Sequence, residues 1–155
     1  MVSASKLWTK IRENTPRRSC GPMTASILGT GAFAPETIVT NKSLVESSGI
    51  DTTPAWIASK TGILERRFAS PETTASDLAT EAALRALEQA GVPPEDVDLF
   101  IVATSTPDFT MPATACLVQE KLGAEGGMAF DVANACAGFV TAFDLAARCL
   151  QTNTE

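Results

Sequence analysis

The sequence predicts an α/β domain with a mostly parallel core sheet and flanking helices, on three observations. Short apolar runs alternate with longer segments of helical periodicity. The run Leu99-Phe-Ile-Val-Ala103 is continuously apolar, as expected of a strand buried on both faces. The helical segments open on capping residues and end near glycine. With 155 residues, 45% of them hydrophobic and 19% charged, the chain has the size and balance of one globular domain.

Residues 1–22 hold five basic side chains against one acidic, and no apolar stretch like that of a secretory signal. They read as a basic leader, disordered or a spurious start, with a weak organellar presequence as the other option. The fold is then expected over 23–155. Residues 25–28 read as a first strand, closed by Gly29-Thr-Gly31 and Pro35, with extended character over Thr37–Thr40. Asn41 is placed to cap a short helix through Ser48 that ends at Gly49. Thr53-Pro54 opens another, since proline loses nothing at a first turn whose N–H groups are unpaired anyway. Gly62 ends it, and 63–69 is an extended, charged connector.

Thr74-x-x-Asp77 resembles a capping box ahead of a stripe of Leu78, Ala82, Ala86 and Ala90, stopped by Gly91 and Pro93. After the strand at Leu99–Ala103 come a helix over 112–122, a third strand at Met128–Val132 and a helix over 136–151. That last helix is expected to turn Phe139, Val140, Phe143, Ala147 and Leu150 inward. Three strands make a thin parallel sheet with exposed edges, so the domain reads as unfinished, truncated before its last strands.

Histidine is absent, which removes His-based acid/base chemistry within this chain and most zinc sites, so no metal is expected. Beyond the leader, seven basic groups face seventeen acidic ones, which argues against nucleic acid as a partner. No apolar run is long enough to cross a membrane. Gly29-x-Gly31-x-x-Ala34 follows an apolar run, but extended residues rather than a helix come next, so turn glycines fit better than a nucleotide loop. Cys20 lies in the leader, and Cys116 and Cys149 sit in Ala/Leu-rich stretches as small packing residues. Cys136 stands where the third strand hands over to a helix, among Ala135, Ala137 and Gly138. A thiol at a helix start is favoured as thiolate, and a strand–turn–helix lifts a nucleophile out of a sheet. By position alone, simple packing at a helix start fits Cys136 equally well.

Four segments in order carry a resemblance. Asp131-Val-Ala-Asn-Ala-Cys136-Ala-Gly-Phe139 resembles the active-cysteine segment of the β-ketoacyl-acyl-carrier-protein synthase III family, part of the thiolase superfamily. Ile27-Leu-Gly-Thr-Gly31 with Pro35 and Thr40-Asn41, Trp56 through Thr61-Gly-Ile63-x-Glu-Arg66, and Val102-Ala-Thr104 with Pro112-Ala-x-Ala-Cys116 resemble other family segments. The resemblance implies a thiolase-like N-terminal half-domain in which Cys136 takes an acyl group from acyl-CoA. The acyl group would then condense, with loss of carbon dioxide, with malonyl-acyl-carrier protein in fatty-acid or polyketide initiation. It implies that Trp56 stacks on the CoA adenine, that Lys60 meets the phosphates where many members have arginine, and that Thr52 lies near the same ligand. Met111 matches a position, often Phe, that reaches across a homodimer into the partner's acyl pocket. No permanently bound cofactor is implied, acyl-CoA being a substrate, and the location implied is cytoplasmic. The family's histidine and asparagine come from its other half, so this chain alone is expected to take up an acyl group at most. Acyl transfer to an alcohol or amine acceptor, or a non-catalytic half-subunit pairing with a complementary chain, are the alternatives.

Overall fold

The computed structural model describes residues 25–152, so the leader, Cys20 and Met23 lie outside the described residues. Strand β1 (Thr37–Thr40) leads into α1 (Asn41–Ser48), α2 (Pro54–Thr61) and β2 (Glu65–Phe68). Helix α3 (Ala75–Ala90) and a 3-10 turn (Pro94–Asp96) precede β3 (Leu99–Ala103). Then come α4 (Thr114–Lys121), β4 (Met128–Val132), a 3-10 turn (Ala135–Ala137) and α5 (Gly138–Thr152).

Two sheets form among the described residues. β3 and β4 pair in parallel, Leu99 opposite Met128 and Ala103 opposite Val132. β1 and β2 pair antiparallel as a separate ribbon, Thr37 opposite Phe68 and Thr40 opposite Glu65. The connector expected over 63–69 is thus a paired strand.

Residues 25–28, expected as the first strand, are not one. The residues just after them lie against α3. Gln89 Oε1 accepts from Thr30 N at 2.5 Å, Arg85 Nη1 donates to Ala32 O at 2.5 Å, and the Arg85 guanidinium lies 5.0 Å above the Phe33 ring. Gly29 and Gly31 serve that approach rather than a turn. A Cβ on either would collide with α3 backbone, at Ala86 O and Ala82 O respectively.

Local signals otherwise set the helix ends. Thr74 and Asp77 form the reciprocal capping box, and Gly49, Gly62 and Gly91 close α1, α2 and α3. Two ends differ from expectation. Thr40, not Asn41, caps α1, its Oγ1 accepting from Ser43 N at 3.1 Å. Asn41 is buried, donating through Nδ2 to Ile63 O at 2.7 Å and accepting from Arg66 Nη2 at 2.6 Å. It ties α1 to the ribbon. Helix α4 begins at Thr114 rather than 112, and Ala113 offers no side-chain cap. Asp131 on β4 supplies it, accepting from Thr114 N at 2.7 Å and Ala115 N at 2.8 Å.

The core joins Phe100 of β3 to Ala115 and Val118 of α4 and to Leu122 just past its end, with Ala79, Ala83 and Leu87 of α3 against them. Helix α5 is another matter. Ala142 and Ala147 are buried, but Phe139 is 74% exposed, Val140 68%, and Phe143 and Leu150 are exposed as well. The inward face expected for this helix is largely open.

Candidate active site

Cys136 does not open a helix. It is the middle residue of the 3-10 turn Ala135–Ala137, and α5 starts two residues later, at Gly138. Ala135 has φ +41°, and no other non-glycine among the described residues has a positive φ. Such a backbone costs on the order of 1–3 kcal/mol and persists only where surrounding contacts hold it. Those contacts are present. Ala137 N donates to Asn134 O at 3.0 Å, Asn134 Nδ2 to Thr141 Oγ1 at 2.9 Å, and Thr141 Oγ1 to Ala137 O at 2.9 Å. Gly138 allows α5 to start close to β3, since a Cβ there would lie 3.3 Å from Ala103 Cβ.

The turn leaves Cys136 exposed, at an open cleft of about 780 Å3 between α3, β3 and α5. Ile101, Val102, Ala103, Cys136, Phe139 and Phe143 are among its walls, and the two Phe rings stack 6.2 Å apart. A thiol here has apolar walls beside it and small neighbours around it, so an acyl thioester carbonyl can approach the sulfur. The small neighbours of Cys136 are plain in the sequence. The left-handed Ala135 had no sequence signal, because Ala is not a residue that advertises that conformation.

Trp56 and Thr52 meet at a second hollow of about 260 Å3, lined also by Asp51 and Thr53. Thr53 Oγ1 accepts from Trp56 N at 3.1 Å, capping α2 where Thr53-Pro54 predicts, and Trp56 is 56% exposed. Lys60 lies four residues on, in the last turn, on the same side of α2 as Trp56. The two hollows share no lining residue.

Met111 does not line the Cys136 cleft of its own chain. It is 83% exposed on the segment between β3 and α4, where the Met111–Pro112 peptide is cis. The contact of Asp108 with Ser76 and the capping role of Asp131 escaped the sequence reading. Asp108 accepts from Ser76 N at 3.0 Å and from Ser76 Oγ, and Asp131 caps α4. Burial pushes the Asp108 carboxyl upward, but the hydrogen bonds from Ser76 outweigh it and leave the group below its ordinary value. Cys116 is half-buried, its Sγ 3.9 Å from Ala129 O, and Cys149 is half-buried too. Among the described residues no cluster of His, Cys, Asp or Glu comes together that could hold a metal ion, and no helix is long and apolar enough to cross a membrane.

No family model matches the chain. Individual proteins do. A β-ketoacyl-[acyl-carrier-protein] synthase III of Caldanaerobacter subterraneus subsp. tengcongensis is 49% identical over 133 residues, 86% of this chain and 40% of that protein. The crystal structure of 3-oxoacyl-[acyl-carrier-protein] synthase III from Aquifex aeolicus VF5 superposes with a TM-score of 0.75 at 45% identity, over 81% of this chain and 40% of that one. The priming β-ketosynthase of the R1128 polyketide pathway gives 0.74 at 39%, over 79% and 36%. Xanthomonas campestris OleA gives 0.74 at 34%, over 83% and 40%. The chain thus spans about 40% of the length of the curated relative it matches, and the fold is that of these thiolase-like enzymes.

Proposed function

We propose, for a chain that belongs to the β-ketoacyl-acyl-carrier-protein synthase III family, that Cys136 takes an acyl group from acyl-CoA as a thioester. The Cys136 thiolate sulfur bonds to the thioester carbonyl carbon, the bond from that carbon to the CoA sulfur breaks, and CoA leaves as the thiolate. Backbone N–H groups, that of Cys136 included, hold the oxyanion between the two steps. Trp56 stacks on the adenine, Lys60 faces the phosphates as a point charge without arginine's fork, and Thr52 adds a hydroxyl. In the whole enzyme the acyl group condenses with malonyl-acyl-carrier protein, with decarboxylation, in a cytoplasmic homodimer. The chain contains no histidine, so acyl uptake is the half-reaction asked of it here. The observation that carries this reading is an exposed cysteine on a strained turn beside an apolar cleft.

The test is the intact mass of the chain before and after incubation with acetyl-CoA and longer acyl-CoAs, with the adduct mapped by peptide sequencing. An acyl increment on Cys136, absent from Cys136→Ala, is expected. Labelling of Cys136→Ala at the normal rate sinks the assignment.

The exposed apolar side of α5 favours a second reading, a half-subunit that pairs with a complementary chain. Under that reading the chain alone takes no acyl group, and it gains one, or restores a partner's activity, only when the complementary chain is supplied.

A further inference from the structure

An apolar groove lies beside the point at which the leader joins the described residues. It has a volume of about 480 Å3 and runs between residues 25–29, α3, the start of β3 and α5. Ile27, Leu28, Leu87, Leu99, Phe143 and Leu150 are among its walls, and no charged side chain lines it. Ile27, Leu28, Phe143 and Leu150 are all exposed. Together these four present roughly 400 Å2 of apolar surface, the extent at which a patch calls for a partner. Val97 lines the groove too, and Glu95, Asp96 and Asp98, all exposed, bracket it. The ion pairs among the described residues use Glu46, Asp77 and Asp144 instead, so no described cation offsets the charge at this end.

Residues 1–24 lead straight to the groove, since Ala25 is one of its walls. Their sequence complements it on both counts. Leu7, Trp8 and Ile11 have the i, i+1, i+4 spacing of one helix side. Lys6, Lys10, Arg12, Arg17 and Arg18 stand against Glu13 alone, whereas the rest of the chain is acidic. Fourteen residues separate Ile11 from Ala25, a reach of at most roughly 50 Å. A tether of this length gives an effective concentration of about 1 mM, so a contact with a Kd of only about 0.1 mM is about nine-tenths formed. A second copy or a separate partner has no such advantage.

We infer that the leader binds its own chain, with Leu7, Trp8 and Ile11 in this groove and its basic residues toward Glu95, Asp96 and Asp98. The groove shares Leu99, Phe143 and Ala146 with the Cys136 cleft, so the docked leader covers part of the open side of α5. The inference does not depend on the acyl-transfer reading.

Trp8 reports the contact in the full chain once Trp56, the other tryptophan, is replaced in Trp56→Phe. Acrylamide quenching of Trp8 in the folded chain is expected to be about fivefold weaker than in urea, as nine-tenths occupancy implies. Quenching equal to that in urea overturns the docking. Raising salt from about 0.1 M to 1 M cuts the Debye length from about 10 Å to 3 Å and is expected to strengthen quenching about twofold. No response to salt overturns the charge contact, and so does a full response in the joint Glu95→Gln, Asp96→Asn, Asp98→Asn variant. Leu28→Lys and Leu150→Lys put a cation into the groove from two separate walls, and each is expected to bring quenching within about twofold of the urea value. Leu84→Lys, on an exposed part of α3 that does not line the groove, is expected to leave it unchanged. Either groove variant decides the site if it keeps the far-UV spectrum of its parent. Parent-like quenching in it, or an equal rise in Leu84→Lys, overturns the groove as the site. Protection of Trp8 that grows with chain concentration puts the leader on a second copy and overturns docking within the chain.

Discussion

The two sides of the β3–β4 sheet are built differently. Toward α4, Phe100 meets Ala115, Val118 and Leu122, α3 closes the flank, and the helix start is tied to the strand by Asp131. Toward α5, only small residues such as Ala142 and Ala147 are buried, while Phe139, Val140 and Leu150 stand in solvent and the Cys136 cleft lies open beside them. Both helices carry apolar stripes. Two strands make a strip only about 10 Å wide, roughly one helix diameter, and it is offered to both helices alike. The difference is the flank, where Ala79, Ala83 and Leu87 of α3 add to the α4 side. The closed side carries the buried core, and the open side carries the cleft at which Cys136 is exposed.

The comparison is sharpened first by paired truncations. Phe100→Ala on the closed side is expected to lose about 3–5 kcal/mol by urea unfolding, from lost transfer energy and the cavity left behind. Phe139→Ala on the open side is expected to change stability by no more than about 0.5 kcal/mol. Similar losses at the two positions would break the contrast.

A smaller effect is expected at the strand-to-helix tie. Asp131→Ala removes the acceptor for two first-turn amides of α4 and should cost about 1–2 kcal/mol. Hydrogen exchange should accelerate at Thr114 and Ala115 ahead of the rest of α4. Uniform acceleration along the helix would mean that Asp131 does not act as its cap.

The smallest effect lies at the edge of the closed side, on α3. The hydrogen bond from Lys121, with those from the Thr74 backbone and hydroxyl, pushes the Asp77 carboxyl down from 3.8 to about 2. A carboxylate with a depressed folded value adds stability above the unfolded value and loses it as pH falls through the folded one. Asp77→Asn should therefore be less stable than wild type at pH 7, and the gap should close between about pH 4 and pH 2. Urea midpoints across that range check it, and a gap of constant size would show that the ion pair with Lys121 adds nothing.

Much of the molecule was legible locally. The Thr74/Asp77 box, the Thr53-Pro54 start and the glycine stops need only neighbours within one helical turn. The strands Leu99–Ala103 and Met128–Val132 need only their own apolar runs. Around Cys136 the strand, the small neighbours and the following helix were legible, but the 3-10 turn that separates the cysteine from the helix was not. The readings that changed all depend on distant partners. Asn41 is drawn from capping by Ile63 and Arg66, Thr30 and Ala32 bond to Gln89 and Arg85 of α3, and Asp131 caps a helix more than a dozen residues before it.

By itself the sequence determined most of the helices and the strands β3 and β4, the apolar stripe of α3 and of α5, and that a cysteine follows β4 among small residues. Propensity, capping and periodicity act within a few residues, so the chain states them directly. Tertiary structure alone decided that the stripe of α5 is largely uncovered, that Ala135 is forced into a left-handed turn, and that Asp108 and Ser76 meet. Periodicity names the side of a helix that seeks a neighbour, but burial needs that neighbour to be present. A strained backbone or a buried carboxylate contact likewise exists only once separate elements have closed on each other.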